Sequence, residues 1–372
     1  MLISFLKSAI FFIRLFFFKQ KADVIFYYPQ HFNRGNNGIN LYFIDMIDSC
    51  KNHEISYLVF EEPDYSSNKP RNKSSIPFDF IFLIIRLLRK LFRSEENTIK
   101  IDQKVGSILS RRLLKKLEFT KVILLSQSMV SFFRGLNKQC NIFDVQHGII
   151  HNNKENYLMN NQVEPNLISN DVSVLLSGPS YQDILIRNEK EEYFGRHTFV
   201  LGSSIRSDCI SHTSFNNNCL VTLQFTSDHT KDENNIILEA LEDFISNNSN
   251  INFYLKHHPR FNNEVDLTGV LSLENVIVSH AEINDCFRLC SLHITSYSTS
   301  TFEAALYGIP TILINPLKKY DYFLNDFKYP VDYQIEDFKK DELYQRCSKI
   351  VLEWAKGYYR PYNEKVFLDI IR

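Results

Sequence analysis

Glycine and cysteine are both scarce in this 372-residue chain, at 11 and 7 residues, and their placement excludes several classes of protein. No glycine-rich dinucleotide fingerprint follows any apolar run, which argues against a hydride-transferring Rossmann enzyme. Cys50, Cys140, Cys209, Cys219, Cys286, Cys290 and Cys347 are scattered, odd in number and free of any Cys-x-x-Cys pair. Zinc ribbons and disulfide frameworks are therefore disfavoured, and reduced, cytoplasmic thiols are expected. No internal repeat of fixed period occurs and no cofactor is expected; the lack of any Asp-x-Asp sequence supports the absence of a bound metal. The longest apolar stretch, residues 1–18, is broken by Lys7 and Arg14 and has no small-residue cleavage site behind it. It predicts a helix lying in a membrane interface, neither a span nor a secretory leader.

What is present fits a globular protein of two domains. Apolar residues make up 44% and charged residues 23%, with 31 Phe and 19 Tyr. The net charge of −1 conceals a basic first third, where residues 1–120 hold 19 Lys/Arg against 12 Asp/Glu. Lys7, Arg14 and Lys21 are seven apart; Arg86, Arg89, Lys90 and Arg93 share one helical face in an apolar segment; Arg111, Arg112, Lys115 and Lys116 follow. An anionic membrane surface is the expected partner, a core helix with a solvated basic face the competing reading. Nucleic acid is not expected, because no nucleic-acid-binding motif accompanies the charge.

Short apolar runs alternate with helical patterns throughout, which predicts parallel α/β sheets. Strands are expected at 23–28, 55–60, 121–125, 141–145 and 172–176, a changeover at 199–204, and a second series at 219–223, 252–255, 275–278, 292–295 and 311–315. The domains are expected to be 1–198, which carries the membrane-facing segments, 199–350, and 351–372, a tail returning to the first. The helix near 341–356 is expected to turn back with it.

Three strand ends carry chemistry. After the run Leu292-His293-Ile294, the hydroxyls of Ser296, Ser298, Thr299, Ser300 and Thr301 open a short helix, where free N–H groups favour phosphate. Ser300-x-x-Glu303 reads as a capping box, with Gly308 beyond the helix end and Pro310 after it; one hydroxyl would cap, and the surplus points to a polar ligand. Glu303 either closes the cap or accepts from ribose hydroxyls. Lys256-His257-His258-Pro259-Arg260 ends another strand, and Pro259 biases His258 outward from the carboxyl end of the sheet. In the first domain, Asp144-Val145-Gln146-His147-Gly148 ends a strand, with Gly148 permitting close approach of a ligand. His147 is the candidate base, Asp144 its possible orienting partner, and Gln146 and His151 candidate acceptor contacts. Arg34 and Asn36, in the loop Gln30–Gly38, and Asp228 and His229, after the strand ending near Phe225, complete the candidates lining a cleft. Each of these turns also has a purely structural reading as a local cap or turn.

The His-Pro pair at 258–259 and the run 296–303 resemble motifs of bacterial GT-B glycosyltransferases, in particular sialyl- and polysialyltransferases, capsule Kdo transferases and teichoic-acid glycerophosphotransferases. Gln146-His147-Gly148 is similar to the first-domain His-Gly element of the capsule and teichoic-acid groups. The resemblance implies two doubly wound Rossmann-like domains facing across a cleft and a cytidine-nucleotide donor. It further implies that His258, Ser298, Thr299 and Ser300 hold the donor phosphate and that His147 activates the acceptor. The expected protein is then an inverting, metal-independent transferase on the cytoplasmic face of the membrane, moving a sugar from a nucleotide-sugar to a lipid-linked surface glycan of the capsule or O-antigen kind. The rivals are a polyol-phosphate transferase, a nucleotide-sugar 2-epimerase and a non-catalytic membrane scaffold.

Overall fold

The computed structural model describes every residue except 1, 34, 36–37, 66–69, 94–96, 205–211, 227–228, 259–260 and 262–263. The chain divides into two compact units, Met1–Ser204 with Arg360–Arg372, and Ile205–Tyr359.

The first unit is built on a seven-stranded sheet of β1 (Val24–Pro29), β2 (Tyr57–Glu62), β3 (Ile76–Pro77), β4 (Lys121–Leu125), β5 (Asn141–Val145), β6 (Val172–Leu176) and β7 (Thr198–Val200). The strand order is β7-β6-β5-β4-β1-β2-β3, with every neighbouring pair parallel. All six residues of β1 are buried, as expected of a central parallel strand covered on both faces. Helix α1 (Leu2–Arg14) precedes the sheet; α2 (Ile44–Asn52), α3 (Asp79–Leu91), α4 (Thr98–Arg111), α5 (Val130–Leu136) and α6 (Pro179–Asn188) connect its strands.

The second unit carries β8 (Asn218–Thr222), β9 (Asn252–Lys256), β10 (Val276–Val278), β11 (Leu292–Thr295) and β12 (Thr311–Leu313) in the order β10-β9-β8-β11-β12, again all parallel. Its helices are α7 (Lys231–Ser246), α8 (Ile283–Leu289), α9 (Ser300–Leu306) and α10 (Asp341–Tyr358). A capping box between Thr230 and Glu233 starts α7. Strand order reverses on either side of β8 here and of β1 in the first unit. In open sheets of this kind, ligands bind outside the carboxyl ends of the strands at such reversals.

Helix α10 corrects an expectation. The sequence expectation is a helix turning back on the first unit, whereas Tyr344, Cys347, Val351 and Ala355 are buried in the core of the second. The returning element is α11 (Glu364–Ile371), whose Phe367, Leu368 and Ile371 join the core beside β1 and β4. Ser203 and Pro361 form a parallel bridge within the first unit.

Candidate functional site

In the second unit, a buried hydroxyl network lies beneath the loop that leaves β11. His293, in the middle of β11, has no solvent exposure. Its Nε2 lies 3.0 Å from Thr222 Oγ1 and 3.2 Å from Ser300 Oγ, and its Nδ1 lies 2.9 Å from Thr311 Oγ1. Thr222 and Ser300 are themselves 2.9 Å apart. Burial holds the imidazole neutral, lowering its pKa to about 3. Thr295 donates to the carbonyl of Thr222 at 3.0 Å, closing the ends of β8 and β11 together. The imidazole thus ties three strands to the first turn of α9.

This arrangement revises the reading of the hydroxyl run. Helix α9 is seven residues long, and its N-cap Thr299 makes no side-chain cap bond. The expected Ser300–Glu303 capping box is absent because Ser300 turns inward to the imidazole. Thr301 is also fully buried, and its hydroxyl oxygen has no protein partner. Ser298 accepts the Ser300 N–H at 3.2 Å. Ser296 and Ser298 retain slight exposure, Thr299 is exposed and Glu303 is half-buried. The far end of the helix matches expectation: Gly308 adopts φ 69°, and Ile309 N–H returns to the carbonyl of Ala304 at 2.9 Å.

Beside this loop, Tyr297 stacks on Tyr320 with centroids 3.8 Å apart. The Tyr297 hydroxyl lies 3.3 Å from His229 Nδ1 and 3.4 Å from the carbonyl of Gln224. His229, from the loop after β8, is thereby held beside the hydroxyl loop through Tyr297. His258 follows the end of β9, on the other side of β8. Two strand spacings put the β9 and β11 axes about 10 Å apart. His258 is half-buried and its carbonyl accepts from Phe261 N–H at 2.9 Å. One N–H of the Lys256 ammonium is taken by the carbonyl of Ala281. Neighbouring His257 stacks on Phe261, and burial together with His280 lowers its pKa. Arg34, Asn36, Asp228, Pro259 and Arg260 lie outside the described residues.

In the first unit, His147 leaves the end of β5 and its ring meets Phe32 edge-on at 5.3 Å. Tyr42 donates to its carbonyl at 3.1 Å. Both contacts come from the β1–α2 connection, beside the strand-order reversal. Asp144 does not orient this imidazole. Its carboxylate is buried and accepts from Gln127 N–H at 2.7 Å and Tyr157 OH at 3.0 Å. Burial raises its pKa to about 7. Extended backbone explains the miss: three residues on, His147 has left the strand and faces another neighbourhood. Gln146 is a turn lock and no open contact, accepting from Ser177 N–H and Oγ at 3.0 Å each and donating to the Gly148 carbonyl at 2.7 Å. His151 accepts from Asn153 N–H at 3.3 Å. Gly148 has no atom within 4 Å of where a Cβ would stand, so it leaves open space without needing a left-handed backbone.

His293, Thr222, Thr311 and Tyr320 escaped the sequence reading. A polar residue amid Leu292 and Ile294 was the available signal, since a strand buried on both faces keeps a histidine only if its nitrogens find partners.

No protein-family model matches the chain, and no curated protein matches it. Solved structures do. TarM superposes with a TM-score of 0.55 at 10% identity, over 96% of this chain and 99% of its own. The Methanocaldococcus jannaschii UDP-GlcNAc 2-epimerase in complex with UDP-GlcNAc and UDP gives 0.51 at 15% identity, over 95% and 99%. S. aureus MnaA with UDP gives 0.50 at 10% identity, over 94% and 95%. The fold is accordingly of the GT-B type, with two Rossmann-like units. Among the described residues, no helix is long and apolar enough to cross a membrane.

Proposed function

We propose that this chain is a GT-B glycosyltransferase that moves a sugar from a nucleotide-sugar, of cytidine type by motif resemblance, to a lipid-linked surface glycan of the capsule or O-antigen kind at the inner face of a membrane. The second unit holds the donor. The observation that supports this most is the hydroxyl loop after β11 at the strand-order reversal, with Thr299 exposed, Ser296 and Ser298 slightly so, and Ser300 anchored on His293 beneath them. His258 serves the donor phosphate from the end of β9, and Arg260 adds positive potential. Two strand spacings between His258 and the loop suit a diphosphate or a phosphate with its sugar better than one lone phosphate.

In the reaction the acceptor hydroxyl attacks the anomeric carbon and gives its proton to His147. The bond from that carbon to the phosphate oxygen breaks, and the negative charge that develops on phosphate is met by hydroxyl, N–H and imidazole donors. The uridine nucleotides bound by the M. jannaschii epimerase and by MnaA support a nucleotide as the ligand. They also keep an epimerase in view as the second reading. The outward apolar side of α1 favours the transferase, because an enzyme acting on a soluble nucleotide-sugar alone has no use for it.

A thermal-shift screen with CMP, CDP, UDP, GDP and TDP tests the donor. A ligand at a hundredfold its Kd stabilises by about 2.7 kcal/mol, and a cytidine preference is expected. His147→Ala is expected to keep that shift and to lose roughly 100-fold or more in transfer, whereas His258→Ala weakens the shift as well. Unchanged transfer in the His147 variant removes the base assignment. Release of the 2-epimer without any acceptor moves the protein to the epimerases.

A further inference from the structure

Helix α1 is apolar on two sides, and among the described residues only one is packed into the core. On the inner side, Phe12 is buried against Phe60 and Phe78 at centroid distances of 5.6 and 5.4 Å, Leu15 is buried, and Ser8 Oγ accepts the Phe80 N–H at 3.0 Å. On the outer side, at helical spacing, Ile3, Leu6, Ile10, Ile13 and, just past the helix, Phe17 stand 72, 51, 61, 46 and 70% exposed. Among them the polar interruptions are Lys7 and Arg14, both exposed cations. Helix α3 lies against α1, with Phe5 and Phe80 edge-on at 5.9 Å, and it exposes Leu83, Leu87 and Leu91 interleaved with the exposed Arg86 and Lys90. Arg89, expected in that basic row, is withdrawn from it by a two-pronged pair with Asp102 at 2.6 and 2.7 Å.

A contiguous apolar row of this size calls for a covering surface. We propose that the outer side of α1, with the exposed row of α3, seats the protein on an anionic lipid surface, with α1 lying in the headgroup plane as a preformed anchor. This deepens the membrane part of the function proposed above and rests on it. Thirteen residues of α1 span about 20 Å, short of the roughly 30 Å of a hydrocarbon core, so the helix lies along the surface. Charge selects the occupant. A second copy of the chain would bring Lys7, Arg14, Arg86 and Lys90 against their own kind, whereas acidic headgroups neutralise all four. The inner row is already fixed in the core, so binding requires no coil-to-helix transition.

Cosedimentation of the full chain with phosphatidylcholine vesicles, with and without phosphatidylglycerol, tests this across a range of salt. Binding is expected to be roughly tenfold or more tighter on the acidic vesicles and to weaken with salt. Far-UV circular dichroism is expected to stay the same on binding. Ile10→Asp with Ile13→Asp, and separately Lys7→Glu with Arg14→Glu, each reduce binding by roughly tenfold or more; all four positions are exposed, and unchanged melting temperatures verify folding. The proposal is overturned if the wild type ignores both vesicles or binds them equally. It is also overturned if the Ile10/Ile13 variant converts a dimer to a monomer without losing lipid affinity, which makes a second copy the occupant. A rise in helicity overturns the preformed anchor. Nucleotide shifts measured on the same preparations separate the two readings: vesicle binding without any nucleotide response leaves the anchor standing and removes the donor site.

Discussion

His293 and Asp144 show how a single buried group sets local stability. In β11 the imidazole lies within hydrogen-bond reach of three hydroxyls, so His293→Phe removes the partner of Thr311 and leaves Thr222 and Ser300 only each other, at an expected cost of about 2 kcal/mol, several degrees in the melting temperature. The folded imidazole takes up a proton only near pH 3, against 6.5 for an ordinary one. The unfolded chain therefore binds more protons in between, and the contribution of His293 is fully present above about 6.5 and lost as pH falls. Asp144 runs the other way. Its folded carboxyl keeps a proton up to about 7, against 3.8 ordinarily, because burial outweighs the bonds from Gln127 and Tyr157. The folded state there binds more protons between those values, so the first unit weakens as pH rises through them. Hydrogen exchange resolved by peptide from pH 4 to 7 is expected to show β11 gaining protection while β5 loses it. His293→Gln and Asp144→Asn flatten the respective slopes, and parallel trends in both segments contradict the assignment.

At the scale of elements, the passage between the units depends on Gly202. Its φ is +83°, and a Cβ there would stand 2.2 Å from the carbonyl oxygen of Pro361. The chain runs alongside its own returning segment at this point: Ser203 N–H donates to the Arg360 carbonyl at 2.8 Å and Asn363 N–H to that of Leu201 at 2.8 Å. Gly202→Ala is expected to destabilise the first unit by about 2 kcal/mol or more, read as a lower urea midpoint and as new protease cleavage near Arg360. An unchanged midpoint would mean that the contact with the returning segment is dispensable. The strands themselves were legible, because parallel strands buried on both faces appear as unbroken apolar runs such as Val122–Leu125. The start of α9 was not. Ser300 and Glu303 have the spacing of a capping box, but spacing cannot register that a neutral imidazole seven residues earlier claims the hydroxyl.

For the molecule as a whole, the second unit is one continuous stretch whose buried cluster runs from Cys219 to Ala355. A fragment of residues 205–359 is expected to melt cooperatively and to retain the nucleotide response of the full chain; a fragment without a thermal transition would show that this unit folds only with the rest. The first unit lacks such independence in sequence, because Phe367, Leu368 and Ile371 of α11 complete its core. Residue order alone settled the α/β class, most strand positions, the basic first third and the clustering of hydroxyl and imidazole groups at strand ends. These are local properties, carried by periodicity and by neighbours in the chain. Folding alone decided which hydroxyls look inward, that Asp144 serves Gln127 and Tyr157, that α10 and α11 go to different cores, and which side of α1 the core takes. Each of those outcomes depends on partners tens or hundreds of residues away, and it is burial beside them that gives a hydroxyl, a carboxyl or an apolar row its role.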